Sequence, residues 1–148
     1  MRQVGDRLSS PGFYRLIDHT ADLGIEVTAE ELKGIYIGSA LALFDIMVGI
    51  ESIEKVERRN IKVSGSDQVE LLVAWLNELL YVYSVERIVF ADFEDLKLKP
   101  DSIEAVACGE LFDPEKHELH IEVKAATYHG LSLSNDDGIW KARIIFDI

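Results

Sequence analysis

Apolar residues change their spacing along this chain. Two stretches in the first half repeat them at three- and four-residue steps, and after Arg87 alternation takes over. Two short strand-like runs come first, Phe13 to Asp18 and Leu23 to Thr28, with Ile25 and Val27 alternating with Glu26 and Thr28. Thr28-Ala29-Glu30-Glu31 then has the form of a capping box, so a helix capped by Thr28 is expected to follow. Leu32, Ile35, Tyr36, Ser39, Ala40, Leu43, Phe44 and Met47 supply its stripe, and Gly49 marks its end. Gly34 and Gly38 weaken that helix and leave room for close packing.

Val56 to Val63 reads as a strand closed by Gly65. Asp67 opens a second helix with Glu70 three residues on. Its stripe is Val69, Leu72, Val73, Leu76, Leu79, Leu80 and Tyr83, with Trp75 at the edge and the Tyr83 hydroxyl expected to reach water. Five further strands are predicted: Ile88 to Phe93, Leu96 to Leu98, Ile103 to Leu111, Leu119 to Tyr128 and Ile139 to Phe146. Turns fall at Pro100-Asp101 and Asp113-Pro114-Glu115. Asn135-Asp136-Asp137-Gly138 reads as a hairpin turn, because it lacks the alternating oxygen ligands and distant glutamate of an EF-hand loop. Helices early and strands late predict an α+β fold, with two amphipathic helices packed on a mainly antiparallel β-sheet. Residues 1–12 form an N-terminal extension and residues 13–148 the domain.

Charge narrows the functional classes. The 148 residues carry a formal net charge of −12, which repels phosphate backbones and argues against broad nucleic-acid binding. The one basic cluster, Lys55, Arg58 and Arg59, is diluted by Glu54 and Glu57. A basic protein partner or a divalent cation suits such a surface. Cys108 is the only cysteine and reads as a packed thiol with no cationic neighbour evident. No apolar run has membrane-spanning length and the first residues lack a signal-peptide pattern, so no membrane association and a cytoplasmic location are expected.

The candidate chemistry begins at Asp18-His19-Thr20-Ala21-Asp22, hard ligands and an imidazole between two apolar runs. In an extended chain Asp18 and Asp22 would stand roughly 13 Å apart, so unless the chain bends only one of them belongs to a given site. Phe146-Asp147-Ile148 offers further oxygens, the Asp147 carboxylate, the Ile148 carbonyl and the terminal carboxylate, although spacing alone favours a solvated Asp147. Lys124, in a strand of small residues, reads equally as a counter-charge to a carboxylate site or as a surface lysine. Glu122, Lys124, Ala126 and Tyr128 are expected on one side of that strand, and Val123, Ala125, Thr127 and His129 on the other. His129 reads as structural, and His117 and His120 as surface residues beside a turn. Walker A, Rossmann, zincin and Gly-x-Ser-x-Gly signatures are all missing from the sequence.

Four blocks resemble the archease family: Asp18-His19-Thr20-Ala21-Asp22-Leu23-Gly24-Ile25; Ala40 to Met47; Leu71 to Leu80; and Glu122 to His129 together with the terminal Phe146-Asp147-Ile148. They follow the family's order over nearly the whole chain, and together they are specific where any one alone would be weak. The resemblance implies an archease-like fold and no catalytic residues of the chain's own. It implies an accessory protein of the RtcB-type RNA ligase in tRNA splicing and RNA repair, one that promotes ligase guanylylation, repeated turnover and broadened nucleotide use. It also implies a divalent cation, calcium with magnesium or manganese as alternatives, held by Asp22, Asp147 and the Ile148 carbonyl. Lys124 ranks next as a functional neighbour, followed by His19 and His129, with Asp18 last because family members vary there. The rival readings are a chaperone or modulator of a tRNA methyltransferase, and a metal-dependent hydrolase built on His19 and Asp22.

Overall fold

Two antiparallel sheets, rather than one, carry the strands. The computed structural model describes residues 12–17 and 22–148. Its elements are β1 (Gly12–Ile17), β2 (Leu23–Ala29), α1 (Leu32–Val48), β3 (Glu57–Ser64), α2 (Gln68–Glu86), β4 (Ile88–Lys99), β5 (Ser102–Leu111), β6 (Ala125–Asp136) and β7 (Ile139–Asp147). A short 3-10 helix, Ile50–Ser52, follows α1. The first sheet has the order β1-β2-β7-β6 and the second β3-β5-β4. Helix α1 packs on β1 and β2 of the first sheet and on β4 of the second, while α2 packs on β6 and β3, so both helices join the two sheets.

Only Lys33 and Asp45 are charged in α1, and the helix is covered almost all round. Every residue from Gly34 to Val48 except Ile37 is buried, which explains why the expected stripe underestimates its packing face. Asp45 is buried near the helix end. It accepts from the Tyr14 hydroxyl at 2.7 Å and from the Ile50 amide at 3.0 Å, which ties α1 to β1 and to the 3-10 turn. The cap differs from expectation. Thr28 lies inside β2, and Glu31 takes the N-cap position without a side-chain hydrogen bond. At the other end Gly49 donates its N–H to the Asp45 and Phe44 carbonyls, as its position predicts.

Helix α2 starts as its sequence predicts. The Asp67 carboxylate accepts from the Glu70 amide at 2.8 Å. Glu70 in turn accepts from the amide and hydroxyl of Ser66. Trp75 is not at an edge: it is fully buried and donates its indole N–H to the Tyr36 carbonyl at 2.9 Å. Tyr36 donates to the Gln68 carbonyl, and burial with the nearby Asp67 charge pushes its pKa up to about 12. Tyr83 departs from expectation too. It is 3% exposed, so its hydroxyl does not reach water. Burial raises its pKa; Arg87 opposes that shift and Glu122 adds to it.

The two strands expected between Ile88 and Leu98 are one, β4, with register shifts at Phe90/Asp92 and Glu94/Lys97 and a left-handed Asp95. Gly109 on β5 lies so close to β4 that an added Cβ would sit 1.8 Å from the Val89 carbonyl oxygen. The β6–β7 hairpin closes through Asp137 and Gly138, both at positive φ, and Gly138 donates its N–H to the Asn135 side chain, a turn as predicted. The strand expected from Leu119 begins only at Ala125. Residues 119–124 lie outside the ladder, with the His120 amide on the Met47 carbonyl. The expected alternation fails there as well: Val123 and Ala126 are both buried, and Lys124 and Tyr128 exposed.

Candidate functional site

The ladder of the first sheet brings the two ends of the sequence together. β2 pairs with β7 from Leu23↔Phe146 onward. One residue beyond that last rung stand Asp22, where the chain bends into β2, and Asp147 at the end of β7. Asp147 is exposed and Asp22 half-buried. On the other flank of β7, Asp147 pairs with Ala125, and its carbonyl accepts the Lys124 amide at 2.8 Å. Strand pairing therefore places Asp22, Asp147 and Lys124 at one end of the sheet, although they lie far apart in sequence. Asp18 and His19 lie outside the described residues.

Asn77 holds this end in place. Its side-chain amide donates to the Ala126 carbonyl at 3.1 Å and accepts from the Ala126 amide at 2.8 Å. Sequence reasoning overlooked Asn77. The available signal was a polar residue flanked by Leu76 and Leu79 of the apolar stripe. His129 lies in a bulge. The β6–β7 register jumps from Thr127↔Ile145 to Ser132↔Arg143, which leaves residues 128–131 opposite Ile144 alone. Gly130 takes a positive φ there, the His129 amide donates to Thr127 Oγ1, and Tyr128 is pushed outward. Such a bulge re-aims side chains near a strand end.

The donors at the tip are hard oxygens, the class that calcium and magnesium take. Two carboxylates brought close at one end of a sheet repel, and a cation between them would remove that cost. Among the described residues no three His, Cys, Asp or Glu side chains converge on a metal position. An ion at the tip would thus add the Ile148 carbonyl and water to the two aspartates. The donor chemistry fits a hard divalent ion on those terms.

Other candidate residues settle into structural roles. Cys108 is buried and its pKa is raised, chiefly by burial. A cation does lie beside it, contrary to expectation: Arg58 Nη1 is 3.6 Å from the sulfur, but Arg58 also pairs with Glu94 at 2.9 Å. Lys55 and Arg59 are paired with Asp92 and with Glu57 and Glu86, so that cluster is neutralised. His117 is buried rather than superficial. It accepts the Asp113 amide and meets Glu110 at 3.0 Å, whereas His120 is exposed as expected.

The model of the Archease protein family matches residues 14–148. The chain belongs to the archease family. Its archease relatives include one from Pyrococcus abyssi, 42% identical over 88% of this chain and 95% of its own length. Another, from Methanopyrus kandleri, is 37% identical over 89% and 96%. A solution structure of a Methanobacterium thermoautotrophicum protein superposes with a TM-score of 0.80 at 34% identity, covering 91% of this chain and 98% of that one. The crystal structure of a Thermotoga maritima archease shares the fold at a TM-score of 0.65 and 20% identity, over 89% and 94%. The archease-like α+β fold expected from the sequence is therefore the fold found. Among the described residues, no helix is long and apolar enough to cross a membrane.

Proposed function

We propose that this archease family member is an accessory factor of an RtcB-type RNA ligase, promoting its guanylylation, its repeated turnover and its use of more than one nucleotide. The observation that carries this reading is the strand register that sets Asp22, Asp147 and Lys124 together at one end of the sheet. Asp22, Asp147 and Lys124 are three of the residues that the family resemblance implies, and their sharing one end of the sheet supports the reading. Asp22, Asp147 and the Ile148 carbonyl would hold a divalent cation, with calcium the first choice and magnesium or manganese the alternatives. Such an ion would supply neutralisation of charge on phosphoryl oxygens. The exposed Asp147 and Lys124 give the tip an accessible edge with which to meet the ligase.

A reconstituted ligation assay tests this. Asp22→Ala and Asp147→Ala are each expected to lose most of the stimulation of the ligase while remaining folded by circular dichroism. Full stimulation by both variants would sink the reading. A second reading, a chaperone or modulator of a tRNA methyltransferase, draws on the description of the Thermotoga maritima archease as a possible chaperone. A pull-down that recovers a methyltransferase and no ligase would favour it.

A further inference from the structure

Three rungs, Ala125↔Asp147, Ala126↔Phe146 and Thr127↔Ile145, join the start of β6 to the end of β7. The register shift after Thr127 cuts them off from the rungs at Ser132 and beyond. Residues 119–124, just before them, lie outside the ladder. β6 is also an edge strand of its sheet, so among the described residues no strand pairs with its outer side. A short piece of edge strand isolated in this way is prone to local opening. Yet the position of Lys124 depends on it, through the amide that bonds the Asp147 carbonyl at 2.8 Å.

Asn77 of α2 takes the place of the missing neighbour. Its carboxamide accepts from the Ala126 amide at 2.8 Å and donates to the Ala126 carbonyl at 3.1 Å. A residue on an adjacent antiparallel strand exchanges the same two hydrogen bonds. Asn is a poor helix former, and this one is half-buried between the buried Leu76 and Leu79 side of the helix and the strand. Both bonds are needed to satisfy its amide there. Val123 is buried one residue before Lys124. Apolar packing is non-directional, however, so it holds Val123 in place without fixing the peptide that follows. The bonds to Ala126 fix the chain on the other side of Lys124.

We propose that Asn77 is a positioning residue for the tip: by clamping Ala126 it holds Lys124 beside Asp147, in the geometry in which Lys124 meets the ligase. The proposal rests on the accessory-factor reading, with Lys124 on the accessible edge, and needs no contact between Asn77 and the partner. Without the clamp, Lys124 and its neighbours must be ordered when the partner binds. That cost lowers affinity for the partner and leaves the effect of the bound complex intact.

Amide hydrogen exchange of the full chain, read by NMR, and a ligation assay test it. In Asn77→Ala the Lys124 and Ala126 amides are expected to lose protection by roughly tenfold or more, while the amides of the β2–β7 ladder keep theirs. Asn77→Asp keeps the acceptor for the Ala126 amide but sets a carboxylate against the Ala126 carbonyl. It is expected to show the same loss at pH 7, and to regain protection as the pH falls and the new carboxyl takes up a proton to donate. In the ligation assay Asn77→Ala should need roughly tenfold more protein for half-maximal stimulation, with the maximum unchanged. Asp67→Ala, which weakens the same helix at its cap, should leave that concentration unchanged. Asn77→Ala added to Lys124→Gln should cost nothing further, as expected of two residues acting through one contact. Wild-type exchange at Lys124 in Asn77→Ala overturns the clamp. An unchanged half-maximal concentration, or a further loss in the Lys124→Gln background, overturns its role at the tip. Absent stimulation by the wild-type chain instead sinks the accessory-factor reading, and the exchange rates then decide the clamp by themselves.

Discussion

Glu110 shows how one residue's burial depends on distant partners. Its side chain is only 13% exposed, and its oxygens receive the Glu54 amide at 2.7 Å, Lys116 at 2.8 Å and His117 at 3.0 Å. Burial alone would raise its pKa, but hydrogen bonds from Lys116, the Glu54 amide and His117 outweigh it and hold the value below the ordinary one. A depressed carboxyl stabilises the fold fully above its unfolded pKa of about 4.3, and that stabilisation is lost as pH falls through the folded value. Glu110→Gln is therefore expected to cost about 1.5–3 kcal/mol at pH 7. Denaturant melts at pH 7 and at acid pH check this, since the difference from wild type should shrink on acidification. His117 was unreadable in advance for the same reason. Its sequence neighbours, Lys116 and Glu118, are polar, and its burial comes from Glu110 and Phe112.

At the scale of elements, local chemistry that closes on itself was legible, and chemistry that depends on the partner strand was not. Asp67 and Glu70 close a cap within four residues, and Asp137-Gly138 closes a turn within two. Asp67→Ala should therefore lower stability by about 1 kcal/mol, measured by thermal unfolding. Thr28, the other cap candidate, is held in β2 by pairing with Phe13 and Lys141, because an established ladder overrides a local capping preference. The start of β6 was misplaced because Leu119, Ile121 and Val123 alternate like a strand while the chain there packs against the core without a ladder.

For the whole molecule, fold class followed from the order of spacings, but the division into two sheets did not. Nothing in β3, β4 and β5 taken singly says that they will pair only with one another. The candidate site was half legible. Extended spacing predicts that Asp18 and Asp22 do not share a site, but Asp18 lies outside the described residues, and only the β2–β7 register brings Asp22 to the same end of the sheet as Asp147, some 125 residues away. Deleting residues 147–148 is expected to abolish divalent-cation binding as fully as Asp22→Ala, by calorimetric titration with calcium. Asp147→Asn, which keeps the carbonyl that receives Lys124, should weaken binding without disturbing β6. Unchanged calcium affinity in the truncated chain would refute the pairing.

β7 runs between β2 and β6, and its final turns of sequence, Ile144, Ile145 and Phe146, are buried one after another, so both faces of the strand are covered there. A side chain at the end of such a strand starts from a backbone with few conformations left to lose. Whatever meets Asp147, ion or protein, thus finds it already ordered, and the entropy cost of assembling the contact falls mainly on the incoming partner.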